Sequence, residues 1–182
     1  SLVLIAISCI IMGAGIPTTA TYIILVAVAA PALAQLGIEP LVAHFFVFYY
    51  GVLADITPPV ALAAYAASGI AKSNPFKTGN TAFRLGIAKA LVPFVFVYSP
   101  SLLLITGEFQ TNQLIITLIG TLIGIALIGI AFSGYWFRPL KNYEQIIIGI
   151  GSLFFVAPGI GSMGFGLLII LPMLFLQFLK KS

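Results

Sequence analysis

Long apolar runs alternate with short interruptions rich in proline, glycine and polar residues along the whole chain. The apolar runs cover residues 1–12, 19–36, 41–71, 81–105, 114–132, 144–157 and 160–179. A membrane-spanning helix needs roughly 20 mainly apolar residues, and several of these runs approach or exceed that length. The runs lack the period-2 alternation that a half-buried strand requires. The pattern therefore predicts an all-α integral membrane protein.

The first two runs predict a helical hairpin over residues 1–36. Residues 1–12 are too few to span, and the sequence Gly-Ala-Gly-Ile-Pro-Thr-Thr at 13–19, here called the tip, separates them from a second short run. Two half-length helices that meet at such a tip are typical of a re-entrant hairpin that stops near the membrane midplane. Two short, kinked crossings are the alternative.

The third run, residues 41–71, is interrupted near its middle by Asp-Ile-Thr-Pro-Pro at 55–59, here called the second break. Proline lacks the backbone donor and disfavours helical geometry in the residue before it, so the helix must be interrupted there. The whole run is roughly 46 Å long as a helix, enough to cross a membrane with a break in the middle. We therefore expect a discontinuous transmembrane helix.

The remaining pattern predicts four further helices. Residues 72–79 are interpreted as a polar connection, 81–105 as a crossing helix kinked at Pro93 and Pro100, and 106–112 as a loop with Glu108. Residues 114–132 carry no charge, and Gly120 and Gly124 form a pair of small residues suited to close helix packing. The aromatic residues at 135–137 with Arg138 are interpreted as an interfacial belt and its basic anchor. Runs 144–157 and 160–179 are expected to cross out and back, around a turn at Pro158-Gly159.

Charge supports the membrane assignment and predicts an orientation. The chain is 61% hydrophobic and 7% charged, and its net charge of +4 is scattered through short connections, which argues against nucleic-acid binding. With the crossings above, every basic residue falls on one side and Glu39 and Glu108 on the other, so the positive-inside rule makes the first side cytoplasmic. The hairpin then enters from the external face. The basic residues are Lys72, Lys77, Arg84, Lys89, Arg138, Lys141, Lys180 and Lys181.

Other residue types narrow the possible functions. With one histidine, four acidic residues, no nucleotide-binding loop and no nucleophile paired with a base, the sequence predicts neither an enzyme nor an organic cofactor. The single cysteine, Cys9, is interpreted as a packing residue. We expect a hydrogen bond at His44, near the external interface, and packing roles for Tyr49 and Tyr50. The chain begins without methionine or a basic segment, so its first run is not a signal peptide, and we expect a longer polypeptide.

The tip and the second break are the candidate binding site. Irregular backbone at membrane depth survives only where it is buried in protein or lines a cavity. Half-helix N-termini suit a carboxylate, whereas freed carbonyls and threonine hydroxyls suit Na⁺, and glycines allow close backbone approach. The candidate substrate and cation residues are Gly13, Gly15, Pro17, Thr18, Thr19, Asp55, Thr57, Pro58 and Pro59, with Thr18, Thr19 and Thr57 as Na⁺ ligands.

Three alternatives stay open on the residues alone. A threonine beside a proline kink often bonds back to its own helix, so both interruptions also fit a non-transporting scaffold or assembly subunit. Asp55 fits two roles, an N-cap for a half-helix starting near Pro58 or a direct ligand, because Asp is a preferred N-cap and is costly in the membrane. A proton-coupled carrier that uses Asp55 is the third alternative.

Several segments resemble the large membrane component of TRAP (tripartite ATP-independent periplasmic) transporters, in the form fused to the small membrane subunit. The resemblance is dense between Gly13 and Leu104 and rests on GAGIPTTATYIIL at 13–25, AHFFVFYYG at 43–51, DITPPVALAAYAA at 55–67 and PFVFVYSP at 93–100. Unfused relatives usually carry an acidic residue near the tip and Gly-Leu before Thr-Pro-Pro. Pro17 and Asp55-Ile56 stand there in this chain, as in the fused branch.

The resemblance implies a Na⁺-driven secondary transporter that moves its substrate by an elevator motion in a bacterial or archaeal plasma membrane. Residues 1–105 would then be the second inverted repeat of the transport domain, and residues 106–182 would be additional C-terminal helices. The implied partners are an extracytoplasmic solute-binding protein, the remainder of the permease with its first repeat and small-subunit helices, and an organic anion such as a carboxylate.

Overall fold

A computed structural model describes residues 1–104, 111–157 and 159–179, and their regular secondary structure is helical. The chain divides into two compact units, Ser1–Val97 and Tyr98–Ser182. Glu108, Pro158, Lys180 and Lys181 lie outside the described residues. The helices are α1 (Leu2–Gly13), α2 (Thr18–Gln35), α3 (Pro40–Ala54), α4 (Leu62–Ala71), α5 (Pro75–Gly86), α6 (Val92–Tyr98), α7 (Thr111–Ser133), α8 (Asn142–Val156) and α9 (Ile160–Leu179), with 3₁₀ segments at Ile87–Leu91 and Pro100–Leu103.

Within the described ranges, four helical segments are long and apolar enough to cross a membrane: Thr18–Gln35, Pro75–Tyr98, Thr111–Ser133 and Ile160–Phe178. This confirms the predicted class, an all-helical membrane protein. The hairpin residues form α1 and α2, of 12 and 18 residues, joined at the tip as expected. Whether this hairpin is re-entrant stays a prediction, since length alone also allows α2 to cross.

The predicted polar connection at 72–79 is wrong over its second half, because α5 begins at Pro75. Asn74 is the N-cap, and its side chain accepts a hydrogen bond from the Lys77 backbone N–H at 3.1 Å. Proline at the first helical position has its fixed φ and missing donor where a helix tolerates both. The helical run continues to Tyr98, but it tightens into the 3₁₀ segment Ile87–Leu91 just before Pro93. The tightened turn lies where the first kink is expected, and the kinks at Pro93 and Pro100 themselves stay predictions.

The core of the first unit lies around α3, which packs against α1 and α2. Phe46 and Tyr50 are almost fully buried there, and Cys9 is 1% exposed, in agreement with its predicted packing role. The Tyr50 hydroxyl donates to the Ala90 carbonyl at 2.6 Å, and the ring of Tyr49 stacks edge-on against Phe96. Both tyrosines therefore pack as predicted.

In the second unit, α7 packs against α8 through the two glycines that the sequence singles out. A Cβ atom on Gly120 would lie 2.7 Å from the Phe155 carbonyl oxygen, and one on Gly124 would lie 2.7 Å from Val156 Cγ2. Only glycine allows the two backbones to approach this closely. The predicted role of this pair is confirmed.

A buried polar cluster closes one end of the second unit. The Arg138 guanidinium contacts both oxygens of Glu144, at 2.6 and 3.3 Å, and Gln177 Nε2 donates to Glu144 Oε2 at 3.1 Å. Arg138, predicted as a basic anchor, is thus paired with a carboxylate that is 1% exposed. Glu144 lies in the first turn of α8 and Gln177 lies near the end of α9, so these helices run antiparallel. The antiparallel arrangement agrees with the predicted pair, whereas the crossing of both helices stays a prediction.

Candidate functional site

The tip of the hairpin lies directly against the second break. A Cβ atom on Gly13 would lie 3.0 Å from the Cβ of Ala54, the last residue of α3. A Cβ atom on Gly15 would lie 3.4 Å from Val60 Cγ1, beyond the two prolines. Gly15 also has φ +86°, a left-handed backbone that favours glycine. The two interruptions that the sequence predicts are therefore neighbours in the fold.

Thr21, which is not among the predicted site residues, packs at this contact. Its Cγ2 methyl lies 2.8 Å from the Cβ position of Gly13 and 3.2 Å from that of Gly51 on α3. Its hydroxyl donates to the Ile16 carbonyl at 3.0 Å, and the side chain is 1% exposed. The sequence carries no local signal for this role, because the contact depends on where α2 folds back against α3.

The N-terminus of α2 presents backbone amides at the tip. Pro17 is the N-cap, and no side chain of the described residues caps the helix. The first intrahelical-type bond there runs from the Thr21 N–H to the Pro17 carbonyl at 2.9 Å, so the preceding amides of the first turn have no helical acceptor. Thr18 and Thr19 are exposed, and their hydroxyls make no hydrogen bond within the described part of the chain. The structure therefore leaves these hydroxyls accessible, without bringing them into hydrogen-bond contact with the second break.

The second break extends two residues further than the prolines. Tight backbone bonds end α3, with Ile56 N–H on the Leu53 carbonyl at 3.2 Å and Thr57 N–H on the Ala54 carbonyl at 3.1 Å. The peptide bond between Pro58 and Pro59 is cis. The next helix, α4, starts only at Leu62.

The proposed N-cap role of the Asp55 side chain is wrong. The N-cap of α4 is Ala61, in a left-handed conformation, and no side chain caps that helix. Instead the Asp55 main-chain carbonyl accepts the Ala63 N–H at 3.1 Å. The helix restarts at Leu62 instead of near Pro58, and residue 55 meets its first turn through the main chain and not through the carboxylate. The carboxylate is half-buried and makes no hydrogen bond among the described residues.

Thr57 shows the back-bonding that the kink interpretation predicts. Its hydroxyl donates to the Leu53 carbonyl, one turn earlier, at 2.7 Å. This bond engages the proton and leaves the oxygen lone pairs, which are what a cation would bind. Back-bonding and ligation are thus compatible at this residue.

His44 lies away from the tip and the second break. Its Nδ1 lies 2.7 Å from the Tyr22 hydroxyl, which confirms the predicted hydrogen bond. Tyr22 and His44 line a cavity of about 460 Å³ with Leu41, Phe45 and Phe48, in the N-terminal half of α3, whereas the second break follows its C-terminal end. His44 is therefore not part of the candidate site.

Comparison with known proteins identifies the family to which the chain belongs. The family model described as "Tripartite ATP-independent periplasmic transporter, DctM component" matches residues 1–111, which include the tip and the second break. Searches of curated proteins and of solved structures returned no match. The matched residues make up more than half of the 182-residue chain. The chain therefore belongs to the DctM family, the large permease component of TRAP transporters.

Proposed function

We propose that this chain contributes to a cation-coupled uptake site for organic anions in a TRAP permease. In this proposal an extracytoplasmic solute-binding protein delivers a carboxylate to the permease. The Na⁺ gradient then drives its import, and the permease moves it across a bacterial or archaeal plasma membrane by an elevator motion. The observation that carries it is the contact between the two interruptions, through Gly13 with Ala54 and Gly15 with Val60. A TRAP permease family in general implies a binding protein and a small subunit as partners.

The tip supports the anion part of the proposal. The first-turn amides of α2 lack helical acceptors, and the helix dipole places partial positive charge at the same point. α2 has 18 residues, so its dipole is well developed. A carboxylate placed before Thr18 would therefore meet backbone donors and no competing capping side chain.

The second break supports the cation part. It offers the Thr57 hydroxyl oxygen, the Asp55 carboxylate and main-chain carbonyls, which are hard oxygen donors suited to a small cation. The described residues contain no group of three or more His, Cys, Asp or Glu side chains that could hold a metal ion. The donor chemistry here favours Na⁺ over a transition metal.

The test uses purified full-length permease and Na⁺ as the only added ligand, with choline as the replacement cation. Ligand binding to the folded state raises stability with concentration, so we expect Na⁺ to raise the unfolding temperature of the wild type. Thr57→Ala should raise the half-saturating Na⁺ concentration about tenfold, since it removes one oxygen donor. Thr57→Ser should restore binding.

Thr81→Ala is the matched control for Thr57→Ala. The Thr81 hydroxyl also donates to a carbonyl one turn earlier, that of Lys77 at 2.9 Å, but it lies on α5. An equal loss of Na⁺ affinity in both variants would contradict the site. Wild-type protein indifferent to Na⁺ but inactivated by Asp55→Asn in uptake assays would support proton coupling. No cation effect and no change in any variant would support the scaffold alternative.

A further inference from the structure

The second break is held in place by a tyrosine on the helix that follows it. Tyr65 of α4 donates its hydroxyl proton to the Pro59 carbonyl at 2.6 Å. Its backbone N–H also donates to the Ala61 carbonyl at 3.0 Å. Because prolines have no N–H, and the Ala63 N–H is engaged by the Asp55 carbonyl, the break has few donors of its own. The Tyr65 hydroxyl supplies one of them.

Helix α5 packs against the Tyr65 ring beside the second break. A Cβ atom on Gly79 would lie 2.9 Å from Tyr65 Cε1 and 3.4 Å from the Cβ of Ala61. The Phe76 ring packs edge-on against Tyr65, with ring centroids 5.8 Å apart. Two α5 residues therefore hold the ring, and one of them also touches the last residue of the break.

The same face of α5 contacts the other end of the break. A Cβ atom on Gly86 would overlap the Cδ1 methyl of Ile56, so a larger residue there requires Ile56 to move or to change rotamer. Gly79 and Gly86 are two helical turns apart and share one face of α5. This face thus supports the break near its beginning, at Ile56, and at its end, at Ala61.

We propose that Tyr65 is a positioning residue for the cation site, and that the Gly79/Gly86 face of α5 fixes the shape of the second break around it. This inference rests on the proposed function, because it assigns Tyr65 the task of orienting the main-chain oxygens that Na⁺ would use. Tyr65 itself contacts no ion in this arrangement. It restricts the Pro59 carbonyl to one direction, so that the break is ordered before the cation arrives.

Tyr65→Phe is the direct test, since it removes the hydroxyl and keeps the ring against Gly79 and Phe76. We expect the half-saturating Na⁺ concentration of the full-length permease to rise about three- to tenfold, the factor that one hydrogen bond contributes. Relative to wild type, Tyr65→Phe should lose less stability in choline than in Na⁺, because the lost hydrogen bond weakens cation binding more than folding. Uptake at saturating Na⁺ should stay within about twofold of wild type.

Tyr50→Phe is the matched control. The Tyr50 hydroxyl also donates to a main-chain carbonyl at 2.6 Å, that of Ala90, but this bond lies in the core of the first unit. Tyr50→Phe should lower stability equally in Na⁺ and in choline. If Tyr65→Phe behaved in the same way, Tyr65 would be merely structural and the inference would be overturned.

A second pair of variants addresses α5 without touching Tyr65. Gly86→Ala should weaken Na⁺ binding by displacing Ile56, and adding Ile56→Val should restore it, since valine lacks the overlapping Cδ1. Failure of the rescue would overturn the role of this face. A wild-type permease that ignores Na⁺ would instead refute the proposed function, so the two failures are distinguishable.

Discussion

Replacing Gly13 by alanine tests the contact between the tip and the second break. The new Cβ would lie 2.8 Å from Thr21 Cγ2 and 3.0 Å from Ala54 Cβ, closer than carbon atoms pack in proteins. Neither neighbour is the end of a long, flexible side chain, so the tip has to move away from α3. Overpacking of this kind costs about 1–3 kcal/mol. A cost of about 1.4 kcal/mol is already a tenfold change in the folding equilibrium.

Gly69→Ala is the control for this substitution. Gly69 lies in α4, and its Cβ position has no neighbour within 4 Å. At this open position the substitution changes only helix propensity, and alanine stabilises the helix by up to about 1 kcal/mol relative to glycine. We expect Gly13→Ala to be about 1–3 kcal/mol less stable than Gly69→Ala, as measured by denaturant titration of the full-length permease in detergent.

Thr21→Ser provides the rescue, because it removes the methyl group at 2.8 Å and keeps the hydroxyl that bonds to the Ile16 carbonyl. In a double-mutant cycle, Gly13→Ala and Thr21→Ser should show a favourable coupling of about 0.5–2 kcal/mol, as expected of residues in contact. Stability of Gly13→Ala equal to that of Gly69→Ala, together with no coupling to Thr21, would refute the contact between the tip and α3.

Two further predictions concern the second unit. Gly120→Ala should lower the free energy of unfolding by about 1–3 kcal/mol, because the new methyl group pushes α7 away from the Phe155 carbonyl. Gly129→Ala should not, because its Cβ position has no neighbour within 4 Å among the described residues. Equal effects of the two substitutions would contradict close α7–α8 packing. Glu144→Leu should cost about 3 kcal/mol, since it strands the partly buried Arg138 charge. Adding Arg138→Met should recover most of this loss in the same titration, and a double variant no better than the single one would argue against the pair.

The interruptions were predictable because their causes are local. Two successive prolines end α3 wherever it packs, and Gly15 with Pro17 prevents α1 from continuing into α2. The small pair Gly120 and Gly124 was predictable for the same reason, since close approach needs residues without bulk. The start of α5 at Pro75 was also present in the sequence, as an Asn-Pro pair at the N-cap and first position, but was interpreted as a connection.

The residues that hold the interruptions together were not predictable. Nothing in the spacing links Tyr65 to Pro59 or Thr21 to Gly51, because these contacts depend on where α4 and α2 fold back. The prediction that the Asp55 side chain caps the next half-helix was wrong for a different reason. The residue type was right for a cap, but α4 restarts at Leu62, so the N-cap position falls on Ala61.

The sequence alone determined the helical membrane class, the number and chemistry of the interruptions and the family resemblance, since hydropathy and proline geometry act over a few residues. Only the tertiary structure decided that the tip touches the second break, that Tyr65 and α5 support it, and that Glu144 joins Arg138 to Gln177. Most of those contacts join different helices, and even Tyr65 and Pro59, which are six residues apart, meet only because α4 folds back on the second break. Their formation depends on the packing of whole helices, which no local pattern encodes.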